Sequence, residues 1–304
     1  MKNIWILCAL ALVGVSCGTS KKVVKNPSEK TSETATTTPA PAMDTVTTKP
    51  VETVKEITQP TKTKQEMEEV IEPKEGDIIE DMVIGVETTP EVFNHSVWNE
   101  LLKEHVSQDG RVNYEGFRQN KGILRDYIAS LGAHMPQESW TQEDRLAYWM
   151  NAYNAMTIDL ILRNLPLQSI KDIDKPWNQR LWKLGSKWYN LDEIEHQILR
   201  KMDEPRIHFG INCASFSCPP LLNEAFTSVE VDSQLDALAR AFVNDTQRNT
   251  LSENSIQISK LFSWFAKDFK TDGSLIDFLN KYSNTPISSK AKKSYKTYDW
   301  SLNN

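Results

Sequence analysis

Two thiols, an imidazole and an amide fall within one stretch of the chain, RIHFGINCASFSCPPLLNEAF, from Arg206 to Phe226. Cys213 and Cys218 enclose the small loop Ala214-Ser215-Phe216-Ser217; His208 and Asn212 precede it, and Pro219-Pro220 bars an ordinary ladder or helix interior beyond it. Two chemistries suit these residue types. In the first, Cys213 and Cys218 form a disulfide, which for so small a loop stabilises by about 2 to 3 kcal/mol. The segment 206–220 then borders the cleft of a non-catalytic binding or scaffold module, the reading favoured for an oxidising compartment. In the alternative, a cysteine-dependent hydrolase or acyltransferase, Cys213 or Cys218 is a nucleophile activated by a nearby imidazole or helix N-terminus, and His208 or His196 is the general base. Asn212, Ser215 or loop amides would stabilise the oxyanion, and Asn151 or Asn154 would orient the base. All five histidines precede both cysteines, so only a His-then-Cys order is open to such a dyad. His196, His208, Cys213 and Cys218 lack the close paired spacing of familiar zinc loops, and no metal is expected. With no glycine-rich phosphate loop and no G-x-S-x-G elbow, no cofactor and no serine-hydrolase chemistry are expected either.

The elements that must carry these residues are legible in outline. Ile207, Phe209 and Ile211 alternate with polar or small residues, which predicts a half-buried strand over 206–212 that hands its end to a cleft. Asn151 and Asn154 lie three apart in a helix that Thr141 caps, with Asp144 at the third position, and that Pro166 stops. That helix is apolar on most faces, so it is central. Its two amides must be hydrogen-bonded, because an unpaired buried one costs about 1 to 3 kcal/mol. They satisfy backbone groups of a neighbouring loop, or they line the site and orient its histidine.

LWKLGSKWYNL predicts a hairpin turning at Gly185-Ser186, and Asn190 then caps the helix DEIEHQILRK. On a helical wheel Leu191, Ile194, Ile198 and Leu199 face inward, and His196 lies on the solvated side with Asp192 and Arg200. Upstream, Trp98, Leu101, Leu102 and Val106 predict a helix after the possible caps Asn94 and Ser96; a short strand follows over Arg111–Tyr114, then a helix through Phe117, Leu124, Tyr127 and Leu131. Downstream come a helix through Leu235, Ala239 and Phe242 after Asp232, a short strand in SIQIS running into a helix capped by Ser259, and a last helix capped by Ser274. The tail SYKTYDWSLNN reads as a final strand or clasp and not as a ligand patch. The fold class is therefore α+β, a mostly helical single domain around a small, largely antiparallel sheet, preceded by a disordered tether.

Three regions divide the 304 residues. Residues 1–16 read as a signal peptide, and Gly14 and Ser16 before Cys17 resemble a lipobox, making Cys17 the expected acylated N-terminus. Residues 17–90, rich in Thr, Pro, Lys and Glu, cannot bury enough to fold and form a tether reaching on the order of 50 Å. Residues 91–304 hold nearly all the aromatic residues and are the globular part. The expected partners are a membrane, held through the lipid, and an envelope polymer or protein; Gly18 after Cys17 points to the outer membrane of the cell envelope. A formal charge of −6 and the absence of a basic stripe argue against nucleic acid.

Taken together, WMNAYNAMTI, LDEIEHQILR, RIHFGINCASFSCPPL and YDWSLN resemble the signature blocks of the DUF547 family, a domain of unknown function found in bacterial lipoproteins and plant proteins. The resemblance spans the chain from Asn94 onward and supplies no established activity. It does put Asn151, Asn154, His196, His208 and Cys213 in shared blocks. Members often carry serine where this chain has Cys218, which implies that a disulfide is not a family feature.

Overall fold

The computed structural model describes residues 92–304; the expected signal peptide, the acylated Cys17 and the 17–90 tether lie outside the described residues. The α+β expectation holds. Helix α4 (Gln142–Asn164) is the central element, buried almost continuously from Leu146 to Ile161. It starts where expected, with Thr141 Oγ accepting from Asp144 N and the Asp144 carboxylate accepting from Thr141 N. Helices α1 (Ser96–His105), α2 (Tyr114–Gln119) and α3 (Lys121–Ala133) pack around it. The helix expected through Phe117 to Leu131 is interrupted at Asn120, between α2 and α3, and the strand expected over 111–114 is reduced to one bridge, Val106 to Val112. The reason is local: Asn113 accepts from Gly116 N and so starts α2 at Tyr114.

The hairpin β1 (Trp182–Leu184) and β2 (Lys187–Tyr189) forms as read, with Gly185 in the left-handed region at φ 57°. A second, three-stranded sheet orders β3 (Thr250–Leu251), β4 (Ser255–Ile258) and β5 (Lys292–Tyr295), with β3 antiparallel and β5 parallel to β4. Helices α7 (Val231–Asn244), α8 (Leu261–Trp264) and α9 (Leu275–Tyr282) accompany it, α9 capped by Ser274. Asp232 sits inside α7, and α8 has Lys260 at its N-cap with no side-chain cap bond; Ser259, one residue earlier, accepts from Leu261 N through its Oγ. Among the described residues no helix is long and apolar enough to cross a membrane.

The apolar interior falls into two clusters, one around α1–α4 and the other around α7–α9 and the three-stranded sheet. The segment read as a strand runs between them. It is instead a single helical turn, α6 (Ile207–Gly210), begun by Ile207 N donating to Glu204 O and ending in extended backbone at Ile211. Every residue from Ile207 to Asn212 is buried. Residues two apart on a helix point in nearly opposite directions and residues four apart point the same way. Thus Ile207 and Ile211 join the first cluster and Phe209 the second, and a period of two arises from two cores rather than from one sheet face.

Candidate functional site

After α6 the chain turns sharply. Ala214 takes a left-handed φ of 59°, uncommon for a residue with a side chain, and Asn212 Oδ1 accepts from Ala214 N at 2.7 Å to hold that turn. The rest of the Asn212 amide is also spent on bracing, its Nδ2 donating to Pro219 O at 2.8 Å and its Oδ1 accepting from Asn303 Nδ2 at 3.2 Å. From α4, Asn154 donates to Gly210 O and accepts from Asn212 N, both at 2.9 Å. Asn151 does the same for Phe226, at 2.8 and 3.0 Å. The two α4 amides therefore clamp both ends of the cysteine segment through its backbone, which is the loop-satisfying role, and neither reaches a histidine. Arg248 completes the frame by donating to Phe216 O and Cys218 O.

What the frame presents is Cys213. Its half-buried thiol lies 3.1 Å from Ser215 Oγ and 3.5 Å from Tyr298 Oη, and those two hydroxyls are 2.9 Å apart. Cys218 is also a free thiol, 5% exposed, and its sulfur accepts from Cys213 N at 3.1 Å. Hydrogen bonds from the Cys218 thiol, the Ser215 and Tyr298 hydroxyls and the Ser215 N–H outweigh burial and bring Cys213 down to about 6. Burial, with Cys213 alongside, pushes Cys218 well up. Tyr298 is also pushed up by burial, so it keeps its proton and remains a donor. The pair thus divides into one thiolate former and one thiol that stays protonated.

Cys213 opens into a cleft of about 300 Å³ at the seam of the two apolar clusters. Its walls are aromatic: Tyr153, Trp177, Trp264, Phe265, Tyr298 and Trp300. Glu195, His196, His208 and Asp192 supply its polar groups. Helix α5 (Leu191–Glu193), capped by Asn190 as expected, continues as a π-helical stretch, Ile194–Ile198, before tightening over Leu199–Met202. The wider turn rotates Glu195 inward, where it is buried and accepts from Tyr153 Oη at 3.0 Å. Burial raises this carboxyl to about 7, and the nearby Cys213 charge adds to the effect against the opposing pull of His196, Tyr153 and Arg200. His196, with a side chain 34% exposed, sits on the rim of the cleft instead of on an outer solvated face.

The two histidines are tied to one another through Arg200 and Asp268. Asp268 Oδ2 accepts from His208 Nε2 at 2.8 Å and from Arg200 Nε at 2.6 Å, while Arg200 Nη1 lies 2.9 Å from His196 Nδ1. A guanidinium only donates, so His196 Nδ1 accepts and its ring proton resides on Nε2. His208 donates its Nε2 proton to Asp268 and stacks on Phe265 at 3.9 Å; burial lowers its basicity despite the carboxylate. Among the described residues neither imidazole hydrogen-bonds to a cysteine sulfur. The structure brings His196, His208, Cys213 and Cys218 to one cleft without joining them as a dyad.

Glu195 and Tyr298 were not singled out from the sequence. Glu195 stands next to His196 in LDEIEHQILR, but a wheel of constant pitch cannot register a π turn. Tyr298 comes from the tail, which forms a strand and clasp but, unlike the reading that kept its aromatics away from any ligand patch, also lines the cleft: after β5 it crosses to the site, pairing Ser301 with Ser169 and Leu302 with Ser215, and in doing so sets Tyr298 and Trp300 in the cleft wall. Among the described residues no group of three or more His, Cys, Asp and Glu is placed to hold a metal ion. Residues 137–243, which take in α4, the hairpin, the π-helical stretch and the cysteine loop, match the family model described as "Protein of unknown function, DUF547". Neither the curated proteins nor the solved structures include a match to the chain.

Proposed function

We propose that the cleft is the active site of a thiol-dependent hydrolase or acyltransferase, with Cys213 the nucleophile and Glu195 the proton carrier. The supporting observation is the pairing of a thiol brought down to about 6 by its hydrogen bonds with a buried carboxyl raised to about 7, both lining one aromatic cleft. Near neutral pH the pair holds a nucleophilic thiolate beside a carboxyl still able to give a proton. The Cys213 sulfur would attack an acyl carbonyl, with Tyr298 Oη as the adjacent donor to the developing oxyanion. Glu195 would protonate the leaving oxygen or nitrogen as its bond to carbon breaks. Water, giving its proton to the Glu195 carboxylate, or a second acceptor would then cleave the thioester and return the thiolate. His196 Nε2–H adds a second donor at the rim, and Asn151, Asn154 and Asn212 position the loop. The tethering of this site to the cell envelope, through a signal peptide and acylation of Cys17, belongs to the same proposal.

The test uses the full chain and p-nitrophenyl acetate. Expected are a nitrophenolate burst, acetyl on the Cys213 peptide, and loss of both in Cys213→Ala. Glu195→Gln should acylate and then turn over about 10²-fold more slowly, the lower end of what a positioned general base contributes. Acetylation of Cys213 no faster than that of free cysteine, or turnover indifferent to Glu195→Gln, would leave a non-catalytic module that binds an envelope polymer or protein in the same cleft.

A further inference from the structure

The acyl-transfer reading uses Cys213 and leaves Cys218 without a task. Yet the Cys218 sulfur rests 3.1 Å from the backbone nitrogen of Cys213, the residue whose own sulfur is the reactive one. Beyond the hydrogen bond that its thiol gives Cys213, its other polar contact is a long one, to Ile211 O at 4.0 Å. A buried cysteine needed only for packing could point anywhere in the core. This one is turned against the nucleophile, separated from it by a four-residue loop whose backbone is fixed by Arg248 and by Phe216 N donating to Ser301 O at 2.7 Å.

The surroundings also leave space on both sides. Cys218 lines the 300 Å³ cleft and, behind the loop, a second cavity of about 520 Å³. The loop thus borders both cavities, and Cys213 and Cys218 share the smaller one. Cys213 is reachable from the cleft, whereas Cys218 is 5% exposed. That asymmetry suits a pair in which one thiol meets an oxidant from solution and the other responds from within.

We infer that Cys213 and Cys218 are a peroxide-reactive pair, Cys213 taking oxygen from a hydroperoxide and Cys218 closing the resulting sulfenic acid into a disulfide. In the first step the Cys213 thiolate attacks the terminal oxygen of ROOH. The O–O bond breaks, sulfur loses two electrons to the peroxide, and the leaving alkoxide or hydroxide takes a proton to give ROH. In the second, the Cys218 sulfur attacks Cys213–SOH; the S–O bond breaks, and the departing hydroxide carries off the Cys218 proton as water. A dithiol reductant reverses the closure by exchange. Overoxidation to sulfinic acid is avoided because the resolving thiol is already adjacent, and acyl chemistry stops while the disulfide persists.

The inference rests on Cys213 being the nucleophilic thiolate of the site and needs no acyl substrate. Its test is hydrogen peroxide, one equivalent, added to the reduced full chain in the presence of dimedone, followed by digestion without reductant. Chymotrypsin cuts after Phe216, so a Cys213–Cys218 disulfide appears as two peptides joined until dithiothreitol is added. Wild type should yield this linked pair, with dimedone capture on Cys213 at least about tenfold below that in Cys218→Ala, where no resolving thiol remains. Equal dimedone capture in the two proteins, or Cys213 sulfinic acid in place of the linked pair, would overturn the pairing. Should Cys218→Ala fail to fold, the presence or absence of the linked peptides in wild type decides alone. An acetate burst from Cys213 in a chain that forms no disulfide would overturn this inference and leave the acyltransferase reading intact. A disulfide without a burst would do the reverse.

Discussion

Replacing Tyr298 by phenylalanine removes one oxygen from the site and little else. The ring stays, in contact with Trp264 at 4.7 Å and Trp300 at 4.6 Å between centroids, so the aromatic wall survives. What is lost is a hydroxyl 3.5 Å from the Cys213 sulfur and 2.9 Å from Ser215 Oγ. A hydrogen bond to a charged group is worth about 1.5 to 3 kcal/mol, and a contact of this length to sulfur belongs at the lower end. At 1.36 kcal/mol per unit, that is a rise of about one unit in the ionisation of Cys213. The Ser215 hydroxyl at 3.1 Å remains and limits the shift. The midpoint of iodoacetamide alkylation against pH should therefore move from about 6 towards about 7. At pH 6 the thiolate fraction, and with it the rate, should fall about fivefold, while the limiting rate at high pH is nearly unchanged. A midpoint within about 0.3 unit of wild type would refute the assignment of Tyr298 as a donor to the thiolate and leave the low midpoint to the Cys218 and Ser215 contacts alone.

Two stability measurements probe the framework. Asn154→Ala strips the buried Gly210 carbonyl and Asn212 amide of their partners, which should lower the unfolding free energy by about 3 kcal/mol in urea; a loss under about 1 kcal/mol would mean that the cysteine loop is held without α4. Glu195 is raised from 4.5 to about 7 in the folded chain, so the folded state retains a proton that the unfolded chain releases. Its contribution to stability is fully present below about pH 4.5 and is lost as pH rises through about 7, amounting to about 3 kcal/mol. Glu195→Gln cannot ionise and keeps an acceptor for Tyr153, so the wild-type advantage over the variant should decline by that amount between these pH values; parallel curves would show that Glu195 titrates normally.

What the sequence discloses depends on the range of the rule that encodes it. The Thr141 and Ser274 capping boxes, the Asn190 cap and the turn at Gly185 are decided within a few residues, and each is found where the local pattern puts it. That the buried amides of Asn151 and Asn154 must be hydrogen-bonded is legible from burial, whereas whether they brace a backbone or orient a histidine depends on how α4 packs. The rules fail where their hidden assumption fails. Alternation implies a strand only if one side faces water, and α6 has a core on each side. A helical wheel implies constant pitch, and the π turn over Ile194–Ile198 breaks it.

The two failures have one site in common, and physics connects them. A cleft at the seam of two cores needs backbone that serves both, which periodic elements with a single buried face cannot supply. It also needs consecutive polar side chains to face inward. An α-helix, advancing 100° per residue, holds neighbouring residues apart, and the wider π turn reduces that separation. Glu195 and His196 are the neighbours so admitted, and Tyr298 arrives from 85 residues beyond Cys213 by a tail clasp whose register no local pattern fixes. The irregular segments therefore mark the candidate site because they break the local rules that buried amphipathic elements obey. The left-handed Ala214, next to Cys213, belongs with them: a non-glycine residue is held there by the Asn212 amide and three further contacts of that amide network, and the strain is placed where a sulfur must be turned into the cleft.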